Sequence, residues 1–145
     1  MAEKANGTVT FILDEQIGHL IRRAHQRASA SFMTVLSDHR FTPTQFFALA
    51  RLRERGQLSQ NRLGRLTAMD PATIQGVVRR LDDRGFLKRL PDPTDRRRMV
   101  LRLTPAGEQA VDGLSHEVDA VSQQVLQPLA PDEREQFRSL LKRIV

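Results

Sequence analysis

Apolar residues recur every three or four positions along most of this chain and alternate in one short stretch. Leu13, Ile17, Leu20, Ala24, Ala28, Phe32 and Val35, widened by Ile12 and Ile21, predict a first helix over 12–37. Thr42-Pro43-Thr44 reads as a cap and a first-turn proline. The second helix follows over about 43–54, with Phe46, Phe47, Leu49, Ala50 and Leu52 as core candidates, and Gly56 stops it. A short third helix over 60–66 uses Leu63 and Leu66, and Thr67-Ala68-Met69 is the turn after it. Asp70 caps a fourth helix, Pro71 opens it, and Ile74, Val77, Val78 and Leu81 share one of its faces. Gly85 ends it as a left-handed cap.

Residues 86–90 read as a strand, and the alternation of 99–103 makes that segment its antiparallel mate. Thr104 and Pro105 open a fifth helix, in which Gly107 is expected to be merely tolerated. Ala110, Leu114, Val118, Val121, Val125 and Leu126 carry it to about 127, where Pro128 ends or kinks it. Pro131-Asp132-Glu133 starts a last helix with Phe137, Leu140, Leu141 and Ile144 on one face.

Four helices, a strand, a long loop, a second strand and two helices make a mainly α chain with a small β-wing (α+β). The expected architecture is a winged helix-turn-helix with a helical dimerisation region. Residues 1–10 are expected to be a disordered N-terminal tail, 11–40 and 104–145 the dimerisation region, and 41–103 the DNA-binding domain. The outer helices carry apolar stripes that the central module cannot cover alone. A twofold dimer covers them, and duplex DNA then offers half-sites roughly 34 Å apart on a pseudo-palindromic operator.

The face of the fourth helix opposite its core presents Ala72, Gln75, Gly76, Arg79 and Asp83, flanked by Thr73 and Arg80. Small, amide and guanidinium groups suit a major groove. Gln75 can pair with adenine, Arg79 with guanine or a phosphate, and Thr73 and Arg80 with phosphates. Gly76 stands where alanine is the better helix former, and a close approach to DNA is one reason to omit a Cβ. The loop over 91–98 is a wing with Arg96, Arg97 and Arg98 at its end. Asp95 supports it by pairing with Arg97 or Arg98, which leaves Arg96 or Arg97 to enter a narrow minor groove.

Charge agrees with this placement. The 145 residues hold 23 Lys plus Arg against 17 Asp plus Glu, a formal charge of +6. The excess is mostly arginine, the better bidentate partner for phosphate and guanine. Cysteine is absent, which excludes disulfides, thiolate nucleophiles and cysteine metal sites. The start of the chain carries no apolar run of a secretory signal, and no stretch reaches the roughly 18 apolar residues of a membrane helix. The expected location is the cytoplasm, at the nucleoid.

No enzyme is expected, because no glycine-rich phosphate loop or paired-carboxylate signature appears. No cofactor is expected either, and no metal, because the histidines lack tight ligand spacing. With no Trp or Tyr and only seven Phe, stacking on single-stranded RNA fits poorly. The alternative function is a winged-helix protein-interaction module without specific DNA binding.

Ser59-Gln60-Asn61-Arg62-Leu63-Gly64, the Asp70-Pro71 helix start, the run 77–85, the wing 91–98 and Leu103-Thr104-Pro105-Ala106-Gly107 together resemble the MarR family of winged helix-turn-helix regulators. The resemblance implies a homodimeric transcription factor, usually a repressor, that binds double-stranded DNA. It implies release by a small aromatic or phenolic acid held in a crevice between the dimer helices and the DNA-binding lobe. It places Ser59, Gln60, Thr73, Gln75, Arg79, Arg80 and Arg97 at DNA-contact positions. The segment 14–27 is also similar to members that control breakdown of aromatic acids, especially regulators of nicotinate degradation that sense 6-hydroxynicotinate.

In such a crevice the candidate effector residues are His19, Arg22, Arg23 and His25. His19 lies one turn from Arg22 and Arg23, so imidazole and guanidinium can converge. Arginine holds a carboxylate bidentately, and histidine bonds a ring nitrogen or hydroxyl. Phe46, Phe47 and Met69 are candidate apolar walls.

Overall fold

Proline occupies the first turn of four helices, where a missing N–H costs no intrahelical bond, and the residue before three of them is a side-chain cap. Thr42 Oγ1 accepts the Gln45 N–H at 3.2 Å while Gln45 Oε1 accepts the Thr42 N–H at 3.2 Å, a reciprocal capping box. Asp70 and Thr104 cap their helices in the same position. The computed structural model describes residues 10–145, so residues 1–9 of the expected tail lie outside the described residues.

The helices are α1 (Ile17–Asp38), α2 (Pro43–Arg55), α3 (Gln60–Leu66), α4 (Pro71–Asp83), α5 (Pro105–Val125) and α6 (Pro131–Lys142). The strands are β1 (Gln57–Leu58), β2 (Leu87–Pro91) and β3 (Met99–Leu103). The order is the expected one, mainly helical with a small wing. The sheet is antiparallel in the order β1-β3-β2, with Leu58 opposite Leu101 and Arg89 opposite Leu101 on the other side. Strand β1 is not anticipated by the sequence pattern, because two residues are too few to show alternation.

The expected first helix is broken. Leu13–Glu15 forms a separate 3-10 turn, and Gln16 is extended (φ −78°, ψ 124°) before α1 begins. The apolar spacing from Leu13 to Ile17 is unchanged across the break, so periodicity alone does not reveal it.

The core gathers on α4, whose Ile74, Val77, Val78 and Leu81 are all buried. Leu49 and Leu52 of α2, Leu63 of α3, and Leu87, Leu101 and Leu103 of the sheet surround it. Leu36 of α1 and Val111 and Leu114 of α5 belong to the same cluster. Arg53 of α2 donates to both carboxylate oxygens of Asp112 of α5 at 3.1 Å.

Gly107 corrects the sequence expectation. A Cβ there would lie 2.0 Å from the carbonyl oxygen of Phe86, a backbone atom that cannot swing aside. The glycine lets α5 press onto the start of β2, where the Phe86 carbonyl also accepts the Thr104 N–H at 3.1 Å.

The outer helices leave apolar faces bare. Ile17 is 66% exposed, Leu20 and Ile21 are exposed beside it, α6 buries neither Phe137, Leu140 nor Leu141, and Ile144 is exposed just beyond that helix. Among the described residues, no helix is long and apolar enough to cross a membrane.

Gly107→Ala is expected to destabilise the fold by about 3 kcal/mol through overpacking. Gly113→Ala, where a Cβ meets nothing within 4 Å, is expected to gain up to about 1 kcal/mol of helix propensity. Urea titrations of both variants check this, and equal midpoints would refute the close contact.

Candidate nucleic-acid interface

Helices α3 and α4 meet closely because Gly64 stands between them. A Cβ there would lie 3.1 Å from Ile74 Cγ2 and 3.2 Å from the Met69 carbonyl oxygen. The turn between them uses Ala68 at φ 54°, and the Met69 N–H closes onto the Gly64 carbonyl at 2.9 Å. Asp70 Oδ1 then accepts the Thr73 N–H at 2.7 Å, and bonding from the Thr73 backbone and then its side chain holds the Asp70 carboxyl below the usual carboxylate range. The short connection leaves α4 one orientation in which its apolar face is dry.

That orientation exposes Ala72, Thr73, Gln75, Arg79, Arg80 and Asp83. Gly76 is half-buried, and the guanidinium of Arg80 folds back beside it, 3.5 Å from where a Cβ would stand. Ser59 caps α3, with its Oγ accepting the Arg62 N–H at 3.3 Å. Gln60 Oε1 accepts from Arg89 Nη1 at 3.4 Å, and Arg89 also approaches Asp82 at 3.6 Å. Arg89 thereby ties the start of α3 to the end of α4.

The wing is braced by two aspartates. Asp92 Oδ1 accepts the Thr94 N–H at 2.9 Å and its hydroxyl at 2.8 Å. These bonds, aided by Arg98, hold the Asp92 carboxyl below its ordinary range. Asp95 accepts the Arg97 backbone N–H at 3.1 Å and pairs with the Arg98 guanidinium at 3.6 Å. Of the two pairings open for Asp95, the side-chain one goes to Arg98. Arg96 and Arg97 stand exposed beside it.

Two contributors are missing from the sequence-based set. Asp92-Pro93-Thr94 carries a readable signal, an aspartate that bonds the backbone two residues on. Arg84 reads by charge as part of the basic surface, yet its guanidinium lies over the rings of Phe41 and Phe86 at 4.6 and 4.9 Å.

The candidate effector residues fall into separate groups. His19 Nε2 and Arg23 Nη1 converge on Asp14 Oδ1 at 3.5 and 3.3 Å. Arg22 and His25 are exposed on the same helix. Phe46 is 4% exposed and belongs to the core, whereas Phe47 is 40% exposed and meets Phe32 edge-on at 5.9 Å. Met69 is half-buried in the α3–α4 turn against the core. Two surface depressions of about 280 Å³ lie elsewhere, one around Arg53, Arg102 and Glu108 and one around His39, Phe41 and Gln109. Neither is lined by any of these seven residues. Among the described residues, no group of three His, Cys, Asp or Glu is placed to hold a metal ion.

Comparison with known proteins agrees with this geometry. The profile of the MarR family matches residues 41–99. The HTH-type transcriptional repressor NicR of Pseudomonas putida is 37% identical over 135 residues, covering 93% of this chain and 85% of that one. The solved structure of Bordetella bronchiseptica BpsR, whose DNA binding is regulated by 6-hydroxynicotinic acid, superposes with a TM-score of 0.86 at 36% identity. That match covers 93% of this chain and 96% of BpsR. The PcaV transcriptional regulator of Streptomyces coelicolor, solved with its natural ligand, gives a TM-score of 0.82 at 35% identity over 93% of this chain and 95% of PcaV.

The wing generates a pH prediction. Asp92 has a depressed carboxyl pKa when folded, so its contribution is present above the ordinary carboxylate value and is lost as pH falls through the folded one. Protection of the Thr94 amide from exchange, taken relative to its intrinsic rate at each pH, is expected to fall in acid in the parent chain. In Asp92→Ala that protection is expected to be absent at every pH. Asp92→Asn keeps the acceptor without the titration and is expected to stay protected in acid. A loss of protection in acid that persists in Asp92→Asn would place the titration elsewhere.

Proposed function

The chain belongs to the MarR family of DNA-binding transcriptional regulators, and within that family we propose that it is a homodimeric repressor released from its operator by a small aromatic carboxylic acid, with 6-hydroxynicotinate the first candidate. The protein is a regulator and not an enzyme. Kinship to DNA-binding repressors disfavours a module that only binds proteins. One observation carries the reading of the site. The exposed face of α4, with Arg79 and Arg80, lies in the same lobe as a wing whose aspartates hold the backbone and leave Arg96 and Arg97 outward.

Residues 41–103 then form the DNA-binding unit, and 11–40 with 104–145 form the dimerisation region. The bare faces of α1 and α6 pack against their copies, since each large apolar side chain fully buried is worth about 1.5–3 kcal/mol. Each subunit lays α4 in a major groove. Gln75 and Arg79 read base edges, and Ser59, Gln60, Thr73 and Arg80 hold phosphates. The wing reaches the neighbouring minor groove through Arg96 or Arg97, with Arg98 kept at its base by Asp95. Occupancy of a promoter is enough to repress, and the place of action is the cytoplasm, on the nucleoid.

The effector reading rests on α1 and on kinship with NicR and BpsR. Asp14 already seats a carboxylate between His19 and Arg23, which supports these two as carboxylate holders. Arg22 and His25 lie near them on α1, while Phe47 and Met69, with Phe46 behind, supply apolar surface. A ligand that favours a mismatched spacing of the two reading helices by a few kcal/mol releases the operator.

Operator fragments selected by the purified protein test both halves. Arg79→Ala is expected to cost about 1–3 kcal/mol of operator affinity, and Arg97→Ala to weaken binding with the fold intact. Saturating 6-hydroxynicotinate is expected to release the fragments. If neither it nor a panel of aromatic acids changes the affinity, the sensing half fails.

Gly76 separates stability from reading. Gly76→Ala is expected to raise stability by up to about 1 kcal/mol, because the added methyl meets only Arg80. It is expected to weaken operator binding by crowding the approach of DNA. Undiminished affinity would refute the close approach at this position.

A further inference from the structure

We propose that Arg84 is a positioning residue that locks the end of α4 to the joint between α1 and α2, and thereby sets the angle at which α4 meets DNA without touching DNA itself. The proposal rests on the reading of α4 as the DNA-reading helix.

Arg84 is the C-terminal cap residue of α4. Its Nη1 donates to the Arg40 carbonyl at 2.7 Å and approaches Gln45 Oε1 at 3.4 Å. The same guanidinium lies over Phe41 and Phe86, whose ring centroids are 5.0 Å apart. These partners come from three parts of the molecule. Arg40 and Phe41 form the α1–α2 turn, where the Phe41 N–H closes onto Leu36 of α1 at 2.9 Å. Gln45 is a polar side chain only 7% exposed, and its Oε1 also closes the capping box of α2. Phe86 precedes β2 and holds the start of α5 through its carbonyl.

Arg40 adds a second indication. Its φ of 59° lies in the left-handed region, which disfavours a residue with a Cβ. That conformation is compatible with an Arg40 carbonyl held by a charge-assisted hydrogen bond from α4. One side chain thus joins the helix that reads DNA to the helix that carries the dimer face. Helix α4 is about 20 Å long, so a tilt of a few degrees at this end moves the other by more than an ångström. In a dimer the two tilts add, and the separation of the reading helices changes.

Lysine cannot replace this function fully, because an ammonium reaches one carbonyl but offers no plane to lie across two rings. The test uses the full-length protein and a selected operator, alongside a copy with one base pair inserted between the half-sites. Arg84→Ala is expected to lose about tenfold or more in affinity for the native spacing and to flatten the preference over the inserted one, with Arg84→Lys between. The dependence of affinity on salt is expected to keep the parent slope, because no phosphate contact is removed.

A slope that falls by about one would make Arg84 a phosphate contact and overturn the proposal. An unchanged affinity, or a loss with spacing preference intact, overturns it as well, since general destabilisation does not alter which spacing is preferred. If Arg84→Ala does not fold, the spacing preference of Arg84→Lys decides in the same way. Arg79→Ala measured in parallel separates the two readings. Parent-like binding by Arg79→Ala sinks the reading of α4 and this proposal with it. Weakened binding there, with parent-like Arg84 variants, sinks this proposal alone.

Discussion

Burial of one face of α4 is the constraint on which the rest of the molecule depends. Ile74, Val77, Val78 and Leu81 form a stripe that must leave water, and α2, α3 and the sheet are arranged to receive it. A helix with one dry face has no choice about the other. Thr73, Gln75, Arg79 and Arg80 are turned outward by the same spacing that turns the aliphatic groups in. The backbone of the polar face is therefore presented rigidly, so meeting a partner costs side-chain freedom but little backbone freedom.

Around this stripe the chain uses backbone contacts where side chains are too soft to hold an angle. Gly64 brings α3 against α4, and Gly107 brings α5 against the carbonyl of Phe86. The wing is held by local carboxylate-to-amide bonds from Asp92 and Asp95, which need no support from the core. Helix α4 is thus fixed by packing and the wing by its own turns. The bare faces of α1 and α6 are the apolar surface that the proposed dimer would cover.

The starts of α2, α4 and α5 were legible in the sequence because each is signalled locally, by Thr42-Pro43, Asp70-Pro71 and Thr104-Pro105. The inner face of α4 was legible because four apolar residues at helical spacing admit one face. The break at Gln16 was not, since Leu13 and Ile17 keep helical spacing on either side of it. Strand β1 was not, since two residues carry no period, and it exists only because β3 offers a free edge. Of the candidate site, the outward positions of α4 and the wing arginines followed from the pattern. The partner of Asp95, the seat of Asp14 between His19 and Arg23, and the stacking of Arg84 on Phe41 and Phe86 did not.

By itself the sequence determined the helical order, the caps, the dry stripe of α4 and the basic character of the helix and wing that follow it, because each is set by residues within a few positions of one another. The tertiary structure decided which of those basic groups remain free and why certain glycines are required. Arg84 is drawn to Phe41 and Arg40, more than forty positions away, and Gly107 is forced by a carbonyl on another element. Contacts of that kind depend on where the chain returns in space, which no local pattern encodes.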